Sequence, residues 1–291
     1  MKANFKSKSF DILNGFVLMS FAILCFYPLY YIFINSISSP NEVMKGVYLL
    51  PRKLTLANYR EVFKIPLIFS GVFVSTARTV VGTIITVLCT SFVSYMVTIK
   101  DLPFRKLIYR MIIITMYFNA GLIPWYMVMK SLHLKNNFLL YILPFAVTGF
   151  YLILVKTYIE SLPQALEESA SIDGAGLFTI FFRIILPVSI PIIACISVFS
   201  AVGQWNYWID NMFLVTDKNL QTLQYTLYKQ LQNNMSDAMR GASASSVASY
   251  KMTPRTLRLT MTFVTVFPIL VVYPALQKYF VKGIMLGAIK G

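Results

Sequence analysis

Residues 161–187 read Ser161-Leu-Pro-Gln-Ala-Leu-Glu-Glu-Ser-Ala-Ser-Ile-Asp-Gly-Ala-Gly-Leu-Phe-Thr-Ile-Phe-Phe-Arg-Ile-Ile-Leu-Pro187, a polar segment set between two long apolar runs. Pro163 suits a first helical turn, and Glu167 and Glu168 lie where a helix dipole favours negative charge. Ala165, Ser169 and Ala170, with Gly174 four residues further on, put small side chains on adjacent helical positions, so another backbone can approach closely. Leu162 and Leu166 add apolar contacts, and Glu168 and Asp173 add charge that fixes orientation. The pattern predicts a short helix outside the lipid that docks either on a partner or on its own subunit. Behind it, Phe178, Phe181 and Phe182 with Ile184, Ile185 and Leu186 form an amphipathic stretch suited to the membrane interface. Pro187, which lacks an amide donor, is expected to mark the start of the next span.

Working outward, stretches free of Asp, Glu, Lys and Arg cover 12–34, 79–99, 111–129, 136–155, 184–209 and 259–277. Each reaches or nearly reaches the roughly 20 residues a helix needs to cross about 30 Å of hydrocarbon. Only helices or closed barrels satisfy their backbone amides in lipid, so helices are expected. The composition agrees, with 57% hydrophobic and 13% charged residues against about 25% charged in ordinary soluble domains. The apolar run behind Lys2, Lys6 and Lys8 is too long for a cleavable signal peptide and reads as a retained anchor.

These runs predict an all-α integral membrane protein with six transmembrane helices. They are an N-terminus 1–11, spans at 12–34, 68–99, 108–129, 136–158, 184–208 and 257–280, loops at 35–67, 159–183 and 209–256, and a tail 281–291. Short flanks carrying Lys6, Lys8, Lys100, Arg105, Lys106 and Arg110 favour both termini in the cytoplasm, which makes 35–67 and 209–256 extracellular. Arg78 reads as an outer-interface residue extending its guanidinium toward headgroups, with a role in the transport path as the alternative. The net charge of +15 is scattered between spans, which suits a membrane surface and argues against nucleic acid. Cys25, Cys89 and Cys195 each lie in an apolar run, and no metal or disulfide spacing follows.

The loop motif resembles that of bacterial binding-protein-dependent ABC importer permeases: E-A-A, three residues, G, nine residues, I, one residue, L-P. Glu168-Ser169-Ala170, Gly174, Ile184, Leu186 and Pro187 match it, with Ser169 the one departure. Ile172-Asp173-Gly174-Ala175, Trp205-Asn206 and the ending from Tyr273-Pro274 to Lys290-Gly291 are similar to the carbohydrate branch, the MalG-like permeases. Gly121-Leu122-Ile123-Pro124 and the Ser-rich loop before the last span resemble the LplC/YtcP-type subgroup, which handles complex oligosaccharides.

This resemblance implies a type I (MetI-like) ABC importer permease fold over about 70–280, in the bacterial plasma membrane. It implies three kinds of partner besides membrane lipid and no nucleic acid: a second homologous permease, two ABC ATPase subunits and an extracellular solute-binding protein. Glu167, Glu168, Ser169, Ala170, Asp173, Gly174, Ile184, Leu186 and Pro187 would couple to the ATPase. Ser236, Asp237, Gly241, Ser243 and Ser245 would contact the binding protein, although their composition also fits a plain linker. Aromatic faces and amides suit sugars, so Tyr117, Asn119, Gln204, Trp205, Asn206, Tyr207 and Trp208 are candidate pathway residues. An interfacial aromatic belt has the same composition.

No catalytic residue or cofactor is expected on this chain. The dipeptide Gly-Lys required by a phosphate-binding loop does not occur, so ATP and Mg belong to a separate ATPase. His133, the one histidine, reads as a solvated loop residue. The alternative class is an ion-coupled carrier, which would need intramembrane carboxylates that the charge-free runs lack.

Overall fold

The computed structural model describes residues 5–239 and 252–288, which are helical apart from connecting turns and one isolated bridge between Ser38 and Leu54. The helices are α1 (Phe5–Ser36), α2 (Pro40–Lys45), α3 (Ala57–Phe63), α4 (Pro66–Met96), α5 (Arg105–Tyr117), α6 (Leu122–Ser131), α7 (Gly149–Ile159) and α8 (Ala165–Ile172), followed by α9 (Ile190–Asn206), α10 (Ile209–Leu214), α11 (Leu223–Met239) and α12 (Pro254–Ala288). Phe10–Ser36, Pro66–Met96 and Pro254–Pro274 are long and apolar enough to cross a membrane. Two further pairs qualify only as bent spans: Phe138–Phe145 with α7, at 48°, and Leu177–Val188 with α9, at 83°.

The breaks fall where the backbone demands them. The 108–129 run, expected as one crossing, is two helices. Phe118 leaves α5 extended, Gly121 takes φ +84°, and Asn119 Oδ1 accepts from the Gly121 amide at 2.9 Å. The run that Pro187 was expected to open bends just after it. Pro187 sits in the first turn of a short helix, where a missing amide donor is tolerated. The chain then turns at Ser189, and α9 begins at Ile190 with Pro191 in its own first turn. The stretch 209–223, expected as loop, holds α10 and a further helical turn at Lys218–Leu220.

The chain divides into two units, residues 1–68 with 227–267 and residues 69–226 with 268–291. In the first, α1 ends against α3. Asn58 Nδ2 donates to the carbonyls of Ser36 and Ser38, both at 2.8 Å, and Asn35 Nδ2 donates to Tyr31 and Val47. These amides satisfy carbonyls that a helix end leaves without intrahelical donors. The second unit has two apolar clusters. One gathers Tyr95, Val155, Ile159, Ala170, Phe181, Ile185 and Ile196. The other gathers Val74, Leu140, Tyr141, Leu214 and Val215.

Candidate functional site

Helix α8 carries Glu167 and Glu168 in its first turn and is closed by a Schellman cap. The Gly174 amide donates to Ser171 O at 3.1 Å and the Ala175 amide to Ala170 O at 2.9 Å, with Gly174 at φ +78°. This pairing of 5→2 and 6→1 bonds needs a left-handed residue at the capping position, which glycine adopts without steric cost. A side chain at Gly174 would meet open space. The glycine is therefore set by the backbone turn, where the sequence suggested room for close packing.

This account discriminates between substitutions. Gly174→Asn, which tolerates the left-handed region, should retain more transport than Gly174→Ala, which costs about 1 kcal/mol in such a turn. Side-chain size alone would order the two variants the other way, and uptake assays on matched membranes decide between them.

The faces of α8 differ. Ala170 is buried among Tyr95, Ile159, Ile180, Phe181 and Ile185, while Ile184 and Leu186 pack half-buried on the same cluster. These three residues, expected to couple to the ATPase, therefore pack α8 and the stretch behind it onto their own chain. Glu167 is half-buried, and burial pushes its carboxyl up from the usual range. Ala165, Glu168, Ser169 and Asp173 are exposed, as is Pro187 behind them. Ile172 stands on the same face at 86% exposure, a residue the sequence reading passed over. An isoleucine projecting from the tip of a polar helix is the signal that could have found it. Beside α8 opens a cleft of about 990 Å³ whose charged lining includes Lys100, Asp101, Arg105, Glu160, Glu167 and Glu168.

Arg78 is not an interface residue. Its side chain and that of Asp210 are both 0% exposed, with Nη2 2.8 Å from Asp210 Oδ2. Nε donates to Gln204 Oε1 at 2.9 Å and Nη1 to Tyr207 O at 2.9 Å, and the Tyr141 ring lies 4.7 Å from the guanidinium carbon. Asn211 extends the network, donating to Tyr141 Oη and accepting from the Thr222 amide, and Ser75 Oγ accepts from the Leu223 amide. The interface reading failed because snorkelling assumes headgroups are the nearest partner, whereas here α10 brings a carboxylate.

Of the pathway candidates, Gln204 and Tyr207 therefore meet at Arg78 and are structural partners. Trp205 is buried along an apolar groove of about 340 Å³, and Trp208 is half-buried. Asn206 is exposed and accepts from Gln224 at 2.9 Å, while Tyr117 and Asn119 are exposed in the break after α5. The candidates do not form one polar site. Gly82 keeps Gln204 in place, because an added Cβ would stand 2.8 Å from Gln204 Nε2. Gly82→Ala should cost about 1–3 kcal/mol by overpacking, read as a lowered unfolding temperature. Gly241, Ser243 and Ser245 lie outside the described residues, while Ser236 and Asp237 fall within α11. Among the described residues no three His, Cys, Asp or Glu side chains gather as a metal site.

Three helices and two bent pairs long and apolar enough to cross a membrane mark an integral membrane protein, and the capped polar helix α8 stands apart from them. The chain belongs to the binding-protein-dependent transport system inner membrane component family, whose model matches residues 92–286. It is 35% identical to the polygalacturonan/rhamnogalacturonan transport system permease protein YtcP of Bacillus subtilis, over 98% of this chain and 100% of that one. It is 33% identical to the protein LplC of the same organism, over 97% of this chain and 95% of that one. Among solved structures, a chain from a bacterial ABC transporter involved in the import of the acidic polysaccharide alginate matches with a TM-score of 0.87 and 29% identity, covering 96% of this chain and 99% of the other. The chain is a non-catalytic permease with an all-helical MetI-like fold.

Proposed function

We propose that this chain is one permease half of an ATP-driven importer of oligosaccharides, fed by an extracellular solute-binding protein. The observation that carries the reading is α8, rooted through Ala170 and presenting Ile172 on an exposed polar face. In this reading the exposed face docks into one of two ATPase subunits, which hold ATP and Mg, and a second homologous permease completes the pathway. The chain crosses the bacterial plasma membrane six times with both termini inside, α5 with α6 making up the third crossing. The substrates named for the YtcP relative and the alginate transporter put uronic-acid oligomers first among cargos to test.

Uptake of labelled oligogalacturonate in cells carrying the chain should require both the ATPase and the binding protein, and uptake without either refutes the reading. A cysteine at Ser169 should crosslink to the ATPase. The segment before α12 is read as reaching the binding protein, so deleting 236–247 should cut uptake severalfold while sparing basal ATP hydrolysis. Unchanged uptake would refute that contact.

A further inference from the structure

The segment Tyr48-Leu-Leu-Pro-Arg-Lys-Leu54 folds back along α1 instead of rising away from it. Asn35 Nδ2 holds Val47 O at 3.0 Å, the Tyr27 hydroxyl donates to Tyr48 O at 3.2 Å, and the Tyr30 hydroxyl donates to Leu49 O at 2.6 Å. The chain then returns to the helix end, where the Arg52 amide donates to Ser38 Oγ and the Ser39 amide to Arg52 O. Tyr27 precedes Ser36 by nine residues, so at ~1.5 Å per residue the tip reaches roughly 13 Å back along the helix. Helical side chains lean toward the N-terminus, which carries the two hydroxyls further still.

That depth matters because the apolar part of α1, Phe10–Ser36, is 27 residues long and exceeds the ~30 Å of hydrocarbon. Counting from Phe10, the far hydrocarbon boundary falls near Tyr30, the level of the tip. Tyr48, Leu49 and Leu50 are exposed there, Leu50 at 73%, while Leu54 is exposed back at the level of Ser38, to which it is bridged. Leu24 and Phe26 on α1 are exposed too, so the leucines extend a surface that already faces lipid. An apolar crevice of about 480 Å³ on α1 shares Tyr27 and Tyr30 with the anchor. Arg52 and Lys53 are exposed on the returning limb, Lys53 also lying 3.4 Å from Glu42. Cations one or two turns above the boundary stand at phosphate height.

We propose that residues 48–54 form a finger that inserts into the leaflet bordering the end of α1, with Leu49 and Leu50 at its tip among the upper acyl segments and the two cations among lipid phosphates. The stretch is then an interfacial anchor within what was read as an extracellular loop.

Site-directed spin labelling tests it, using the full-length chain with Cys25, Cys89 and Cys195 replaced by Ser, in vesicles of phosphatidylethanolamine and phosphatidylglycerol. A label at Leu50→Cys should be reached by oxygen and shielded severalfold from a water-soluble nickel chelate, relative to a label at Asn41→Cys on α2. Equal access of the chelate at both positions overturns the proposal, as does a Leu50 label reached by neither reagent because protein covers it. Should the cysteine-free background fail to insert, Leu50→Trp in the otherwise unchanged chain reads the same property. Lipids brominated near the glycerol end of the acyl chain should quench the added fluorescence, and no added quenching overturns the proposal.

Discussion

Asp210→Ala should destabilise the permease by about 3–5 kcal/mol, because it strands the Arg78 guanidinium in a fully buried site. The carboxylate holds Nη1 and Nη2 and also accepts from the Asn211 amide at 2.8 Å, so no single neighbour replaces it. The network also fastens the segment after α9, through Tyr207 O and the Asn211 bond to the Thr222 amide. Thermal unfolding in lipid nanodiscs should therefore fall steeply, with the yield of inserted protein falling alongside. The double variant Arg78→Met, Asp210→Leu should recover most of the loss, since apolar replacement of a buried pair is often neutral. Equal destabilisation in the single and double variants would mean that the pair does more than cancel its own burial cost.

Ile172→Asp should abolish transport while leaving insertion and stability close to wild type. The side chain is 86% exposed, so nothing within the chain depends on it. Burying an isoleucine in a partner's cleft contributes about 1.5–3 kcal/mol. Its loss weakens ATPase association ~10- to 100-fold, and the carboxylate adds a desolvation penalty on top. Pull-down of the ATPase by membranes bearing the variant measures this directly. Ala170→Leu offers the contrast: it should disturb the fold first, because Ala170 lies inside the cluster of Tyr95, Ile159 and Phe181. If Ile172→Asp binds the ATPase like wild type, the exposed face of α8 is not the docking surface.

Much of the fold was legible because lipid imposes a simple rule on sequence. Runs without charge must be helices, and the polar interruption at 161–176 must lie outside them. The helix α8 itself was legible too, since a short segment with acidic residues at its start and a glycine at its end announces both termini. What the sequence did not disclose was which side of α8 faces inward. Over so short a helix the apolar positions Leu166, Ala170 and Ile172 do not share one face, and only packing against Phe181 and Ile185 selects Ala170. The Arg78–Asp210 pair was hidden by a separation of 132 residues. One signal did exist: Asp210 follows Ile209 and stands two residues before Met212-Phe213-Leu214, and a carboxylate in such surroundings needs a cation, although the sequence did not single out Arg78 from Lys64, Arg183 or Arg258, each set between two apolar residues. The break at 118–121 escaped because Gly121 interrupts the run without adding a charge.

The bend at Ser189 carries a mechanical consequence. Its amide donates to Ile185 O at 2.9 Å in one arm and its carbonyl accepts from the Ile193 amide at 3.0 Å in the other, so both arms are hydrogen-bonded up to the corner residue itself. Two helical arms that share one residue and meet at 83° have the geometry of a bell crank. Were the corner held rigid, a push on the Leu177–Val188 arm would emerge along α9 turned through nearly a right angle.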